Sequence, residues 1–330
     1  MMRFAFLFIL VSMPILQSCR QHNTHSVAFY YWKSNAGIGD TEKHFFERTG
    51  ADKLYVRLFD VDIQGNIPQP QAAIHAFDPE SLAADYIPVV FITNRTMAHT
   101  SGSGVATLAE HVHELILKIM ADQRMGVPAE IQIDCDWTAT TRERFFSFLG
   151  ELRNISGRKI SCTLRMHQVK YRDRTGIPPA DKVYLMAYAT SDPIKDDGKN
   201  SILDIPLLKD YLRNIGDYPL DTDVALPLYS WAIATNHLGK SKLINGVTEE
   251  ELPSAVYQKT GDRRYEILED TFLRGIYLNK GFHLRIESVS PELLSETRTF
   301  LETKINKPFG YVYYHLDSLF ISRFSPGMLK

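Results

Sequence analysis

Two acids separated by a single residue, Asp134 and Asp136, are the side chains whose spacing most directly suggests chemistry. They fall in Glu130–Trp137, a run whose apolar and β-branched residues read as a strand. Side chains alternate along a strand, so residues two apart face the same way. With Ile131, Ile133 and Cys135 turned to the other face, both carboxylates are expected inside one mouth. Two carboxylates so close cannot both ionise cheaply, so one is expected to hold a raised pKa and share a proton. Arg57 and Arg165 are the cations available to compensate them, and a ligand-free ion network of these four residues is the plain alternative. A metal bridging Asp134, Asp136 and His167 would be another use of the same acids, but no metal is assigned.

Aromatic residues give the second signal. Trp32, Tyr188, Tyr229, Trp231 and Tyr314 stand where strands are expected to meet loops. Taken singly, each reads as core. Taken together beside carboxylates, they suit a sugar ring, stacked on its C–H face while polar groups bond its hydroxyls. Asp60, His167 and Asp317 are further polar candidates for the same mouth, with Arg57 and Arg165.

The elements that must position these groups follow from hydrophobic pattern. Strand-like runs fall at Val27–Lys33, Lys53–Val61, Tyr86–Thr93, Glu130–Trp137, Lys159–His167, Lys182–Ala189, Asp223–Trp231 and Gly310–Leu316. Amphipathic stretches alternate with them, clearest at Ala106–Arg124 and Thr140–Asn154, then at Ile205–Ile215 and Pro291–Thr303, the last with Ser290 as N-cap. Eight strands alternating with helices predict a single (β/α)₈ barrel, whose reactive groups gather at the C-terminal ends of the strands. The interval 236–286 is too long for one crossover and is expected to be an insertion between strands seven and eight.

The beginning of the chain reads differently. Arg3, a short apolar run from Phe4 to Val11 and Leu16-Gln17-Ser18-Cys19 form a secretory signal ending in a bacterial lipobox-like motif. Residues 1–18 are therefore expected to be a signal peptide, Cys19 a lipidated residue that opens a tether over 19–26, and 27–330 the barrel domain. The expected location is the cell envelope, with the protein lipid-anchored to the outer or cytoplasmic membrane surface. Cys135 and Cys162 are expected as buried free thiols.

Composition narrows the function classes. The net charge is −2 and no Lys/Arg run is long enough for a basic stripe, which argues against a nucleic-acid partner. No Walker loop, dinucleotide fingerprint or Gly-x-Ser-x-Gly elbow is present, and no cofactor is expected. His111 and His113 do not share a helix face and read as surface residues. Ser101-Gly102-Ser103-Gly104, between a strand and a helix, reads as a loop, with an anion cradle as its alternative use.

Five short motifs, in chain order, resemble the glycoside hydrolase family 18 barrels, the chitinases and endo-N-acetylglucosaminidases. They are Ala28-Phe29-Tyr30-Tyr31-Trp32, Ile133-Asp134-Cys135-Asp136-Trp137-Thr138, Met186-Ala187-Tyr188, Leu226-Pro227-Leu228-Tyr229-Ser230-Trp231, and Gly310 to Asp317. In that family the 2-acetamido group of the substrate is itself the nucleophile. The resemblance implies that Asp136 orients it, that Asp134 tunes Asp136, and that Tyr188 adds a hydrogen bond. The family's proton donor falls on Thr138, whose hydroxyl cannot act as a general acid near neutral pH. Ile131 and Ala189 stand where the family often carries further aspartates. Three functions follow. The protein is a divergent glycosidase with another acid drawn from Asp60, Asp62, Asp192, Glu287 or Asp317; or it binds a glycan without cleaving it; or it is an interaction scaffold.

Overall fold

A computed structural model describes residues 25–34 and 37–330. The signal peptide and the lipidation at Cys19 lie outside the described residues. Eight parallel strands close into a barrel: β1 (Val27–Tyr31), β2 (Lys53–Gln64), β3 (Asp85–Ile92), β4 (Glu130–Asp134), β5 (Lys159–Arg165), β6 (Lys182–Met186), β7 (Thr222–Pro227) and β8 (Tyr311–Tyr314). Each pairs with the next, and β8 returns to β1 with Val27 opposite Tyr311. All five residues of β1 are buried, as a parallel strand covered on both faces requires.

The barrel interior is polar and satisfied where it carries tyrosines. Tyr30 Oη donates to Gln132 at 2.8 Å, Tyr55 and Tyr184 share a hydrogen bond of 2.5 Å, and Tyr184 donates to Glu130 at 3.0 Å. These bonds offset the cost of burying phenols and build a firm floor beneath the mouth. Outside, helix Arg142–Ser156 buries Phe145, Phe148, Leu149 and Leu152, the residues whose spacing predicts it. Ser290 caps Pro291–Lys304 by accepting from Leu293 N.

Several strands end earlier than their sequence patterns suggest. Strand β4 stops at Asp134 because Trp137 turns outward, donating Nε1 to Thr175 O at 2.9 Å and stacking on Phe145. Strand β5 stops at Arg165, where the Gln168 side chain bonds both Arg165 N and Trp137 O and starts a helix, Met166–Lys170. Strand β2 instead runs on to Gln64 and folds back as a hairpin onto Ile67–Gln71.

Strand β7 ends at Pro227, and Ser230 already belongs to a separate antiparallel sheet. This side sheet orders its strands Ser241–Asn245, Ser230–Thr235, His283–Ser288, Arg264–Ile267 and Tyr257–Gly261. One face packs into a small core of its own, with Ala232, Ala234, Ile244, Leu284 and Ile286. The other face carries Trp231, Ile233 and Thr235. Cys135 and Cys162 are buried free thiols.

Candidate functional site

The C-terminal ends of the barrel strands surround an open hollow of about 430 Å³. Asp134 and Arg165 supply its charged lining, and Trp32, Tyr188, Tyr229, Trp231 and Tyr314 line it as well. Their rings form a continuous wall: Trp32 to Tyr314 is 5.6 Å between centroids, Tyr188 to Tyr314 5.6 Å, Tyr229 to Tyr314 5.8 Å and Tyr229 to Trp231 5.1 Å. All five aromatic residues singled out from the sequence therefore meet at one place.

The raised pKa expected of one aspartate falls on Asp134, and the two carboxylates take different hydrogen-bond partners. Asp134 is buried at the base of the hollow and accepts from Thr163 Oγ1 at 2.6 Å. Burial pushes its carboxyl up to about 6, with Arg165 opposing the shift and Asp136 adding to it. Asp136 lies past the end of β4, where the alternation of a strand no longer fixes its direction. Its half-exposed carboxylate is held by Arg165, with Nε at 2.5 Å and Nη2 at 3.3 Å. Each acid has its own hydrogen-bond partner, and the charge of Arg165 acts on both.

The proposed network of four charges does not form as a unit: Arg165 pairs with Asp136, Asp134 bonds Thr163, and Arg57 turns to a fifth residue, Asp60. Arg57 holds Asp60, with Nε to Oδ1 at 2.6 Å, and lies over the Trp32 ring at 5.8 Å. A register shift in β2 between Arg57 and Phe59 accompanies this arrangement. His167 sits exposed on the helix Met166–Lys170 and does not line the hollow. Asp317 does not line it either: its carboxylate caps helix Ser318–Ile321 through Leu319 N at 2.9 Å and pairs with Lys33 at 3.2 Å. Tyr188 lines the hollow but directs its hydroxyl to Met186 Sδ at 2.9 Å.

The other acids considered as proton donors are also engaged. Asp62 pairs with Arg95 and bonds Thr93, and these contacts hold its carboxyl down to about 2. Glu287 is fully buried and accepts from Ser201, from Trp231 Nε1 at 2.9 Å and from Arg285 Nε at 3.0 Å. Asp192 accepts from Ile194 N in a local turn. Thr138 is exposed, its hydroxyl hydrogen-bonded among Thr140 and Thr141.

Phe91, Asn245, His315 and Phe320 also line the hollow, and sequence reasoning missed them. Asn245 arrives only because the side sheet pairs it with Trp231, a long-range register that no local pattern encodes. His315 adjoins the flagged Tyr314. Burial lowers its imidazole to about 4, which keeps the ring neutral near pH 7, and its Nδ1 has no hydrogen-bond partner. Among the described residues, no group of three His, Cys, Asp or Glu side chains is placed to hold a metal ion.

A larger groove of about 620 Å³ runs along the flank, between the hairpin strand Ile67–Gln71 and helix Gly104–Asp122. Its walls carry Ile67, Pro68, Leu108 and Val112 but no carboxylate or arginine, so the chemistry is assigned to the smaller hollow. Ser101 lies on this groove and accepts from Gly104 N, a local turn contact.

Comparison with solved structures matches this architecture. The chitinase of Chromobacterium violaceum is 13% identical, with 93% of this chain and 99% of that one covered and a TM-score of 0.57. The spore cortex-lytic enzyme SleL of Bacillus cereus is 14% identical, covering 91% and 75%, with a TM-score of 0.55. The barrel shares its fold with both of these proteins. A third structure, the C-terminal domain of a putative chitinase from Desulfitobacterium hafniense, gives 10% identity, 92% and 98% coverage and a TM-score of 0.58. At these identities the likeness establishes the fold alone, a closed eight-stranded parallel barrel. No family model matches the chain, and no curated protein does.

Proposed function

We propose that the protein binds a glycan in its hollow, at the surface of the cell envelope, without the family 18 route of cleavage. The observation that carries this reading is the aromatic wall over a buried carboxylate and a guanidinium, in a pocket open to solvent. Aromatic faces take the C–H side of a pyranose, and Arg165 and Asp134 offer a donor and an acceptor to its polar edge. The structural neighbours are named as chitinases and cortex-lytic enzymes, which favours a glycan containing N-acetylhexosamine.

Two features argue against family-type hydrolysis. Thr138 stands where the resemblance puts the acid, and its hydroxyl does not ionise in the range a general acid needs. Asp136, which in the family's arrangement would orient the acetamido group, is already held by Arg165. Hydrolysis remains a second reading because of one group, Asp134. A carboxyl raised to about 6 holds a proton in mildly acidic solution, as a general acid must, and turnover on that route falls as pH rises through 6.

The deciding experiment is titration with N-acetylglucosamine oligomers, alongside a hydrolysis assay, on the wild type and Thr138→Glu. Binding by both proteins, with cleavage gained only by the variant, supports a binding protein on a hydrolase frame. Wild-type cleavage that fades above pH 6 supports the second reading. Binding by neither leaves the interaction scaffold.

The envelope location is part of the same proposal and rests on the lipobox-like motif ending at Cys19. His25 enters the barrel at the N-terminal end of β1, bonding Phe309 O at 2.8 Å and packing on Phe309 and Tyr311. The hollow lies at the opposite end of the strands. A tether leading to His25 would join the barrel at the end opposite the hollow.

A further inference from the structure

The charges at the base of the hollow do not balance. Asp134 accepts from Thr163 through Oδ1, and among the described residues nothing donates to its Oδ2. Arg165 acts on Asp134 by its charge but makes its ion pair with Asp136, through Nε and Nη2. One guanidinium therefore answers two carboxylates, and with both ionised a negative charge is left over. The other titratable groups that act on Asp134 do not cancel it. Asp60 is neutralised by Arg57. Burial pushes the phenols of Tyr30, Tyr188 and Tyr314 and the thiols of Cys135 and Cys162 upward, so all of these stay neutral. His315, also on the lining, is neutral near pH 7 for the same reason.

The rings that share this lining favour the same sign of ligand. The face of an aromatic ring carries negative potential and attracts a cation, most strongly where water is excluded. The wall already uses that attraction once, since Arg57 lies over Trp32 at 5.8 Å. Tyr188, Tyr229, Trp231 and Tyr314 add four more rings around the hollow. A carboxylate with a free oxygen, set among aromatic rings, gives an ammonium group both an ion pair and a cation–π contact. A neutral acetamide gains neither, and it leaves the buried carboxylate uncompensated.

We propose that the hollow selects a hexosamine with a free, protonated amine, so that its ligand is a partly or wholly de-N-acetylated glycan whose ammonium group pairs with Asp134. The inference rests on the glycan-binding function of the hollow and adds the charge of the sugar seated there. The pairing has its own signature. Burial holds the Asp134 carboxyl up to about 6 in the free protein. An ammonium group favours the ionised form, so in mildly acidic solution its binding expels a proton. A neutral sugar makes no such demand.

Calorimetric titration with β-1,4-linked tetramers of glucosamine and of N-acetylglucosamine at pH 6.5 tests this. The glucosamine titration is repeated at pH 5.5 in buffers of different ionisation enthalpy, which counts the protons exchanged. The wild type should bind the glucosamine tetramer about tenfold more tightly, the worth of one desolvated cation–π or charge-assisted contact. At pH 5.5 it should release a proton as it binds. In Asp134→Asn, which keeps the shape of the side chain without its charge, both the preference and the proton release should disappear. Equal or tighter wild-type binding of the N-acetylated tetramer would overturn the amine preference while leaving the glycan reading intact. A preference that survives Asp134→Asn, or wild-type glucosamine binding without proton release, would overturn the pairing with Asp134. If the wild type binds neither tetramer, the hollow's glycan function fails and this inference falls with it.

Discussion

Asp134 is the residue on which the charge balance of the hollow turns. Its carboxyl rises from 3.8 to about 6 in the folded protein, chiefly through burial. A carboxyl raised on folding favours the native state while it stays protonated. That contribution is complete below the unfolded value and is lost as pH rises through about 6. The lost stability is on the order of 2–3 kcal/mol. Urea unfolding of the wild type and Asp134→Asn at pH 4.5, 6 and 7.5 should show the variant gaining on the wild type as pH increases. Parallel pH profiles would mean that Asp134 is not desolvated as described. Arg165 has a related role, since its guanidinium restrains the shift at Asp134 and holds Asp136.

At the scale of elements, the hollow depends on where the side sheet meets the barrel. Gly246 follows Asn245, donates its N–H to Ser230 O at 2.8 Å and has φ +77°, a conformation that favours glycine. A Cβ there would lie 2.1 Å from Leu319 Cδ2. Gly246→Ala should therefore cost about 1–3 kcal/mol in a denaturation midpoint and weaken glycan binding by displacing Asn245. Wild-type stability with wild-type binding would show that this junction does not position the wall.

The same junction shows what a sequence can and cannot convey. Alternation along β4 places Ile131 and Ile133 away from Gln132 and Asp134, and periodicity finds the buried face of Arg142–Ser156, because both patterns are local. Element ends are set by distant partners. Trp137 leaves its strand for Thr175, and Gln168 ties Arg165 N to Trp137 O, so Asp136 falls outside the strand and meets Arg165 instead of sharing a mouth with Asp134. Asp317 stands at a strand end like the others, but it caps a helix and pairs with Lys33. The aromatic wall was legible residue by residue, whereas the contribution of Asn245 required the side sheet's register.

For the whole molecule, the proposal is a barrel held at one end and open at the other. Cys19→Ser should move the protein from the membrane fraction to the soluble fraction and abolish labelling by a palmitate analogue. Retention of both would remove the lipid anchor. The mouth itself is best examined with a ligand in place, by a crystal structure of the protein soaked with an N-acetylglucosamine oligomer and a matching titration of Trp231→Ala and Arg165→Gln. A pyranose ring seated against Trp231 and Tyr314, within hydrogen-bond distance of Asp134 or Arg165, is the expected result, with binding weakened in both variants. Sugar bound only elsewhere, or affinity untouched by both substitutions, would contradict the assignment of the hollow.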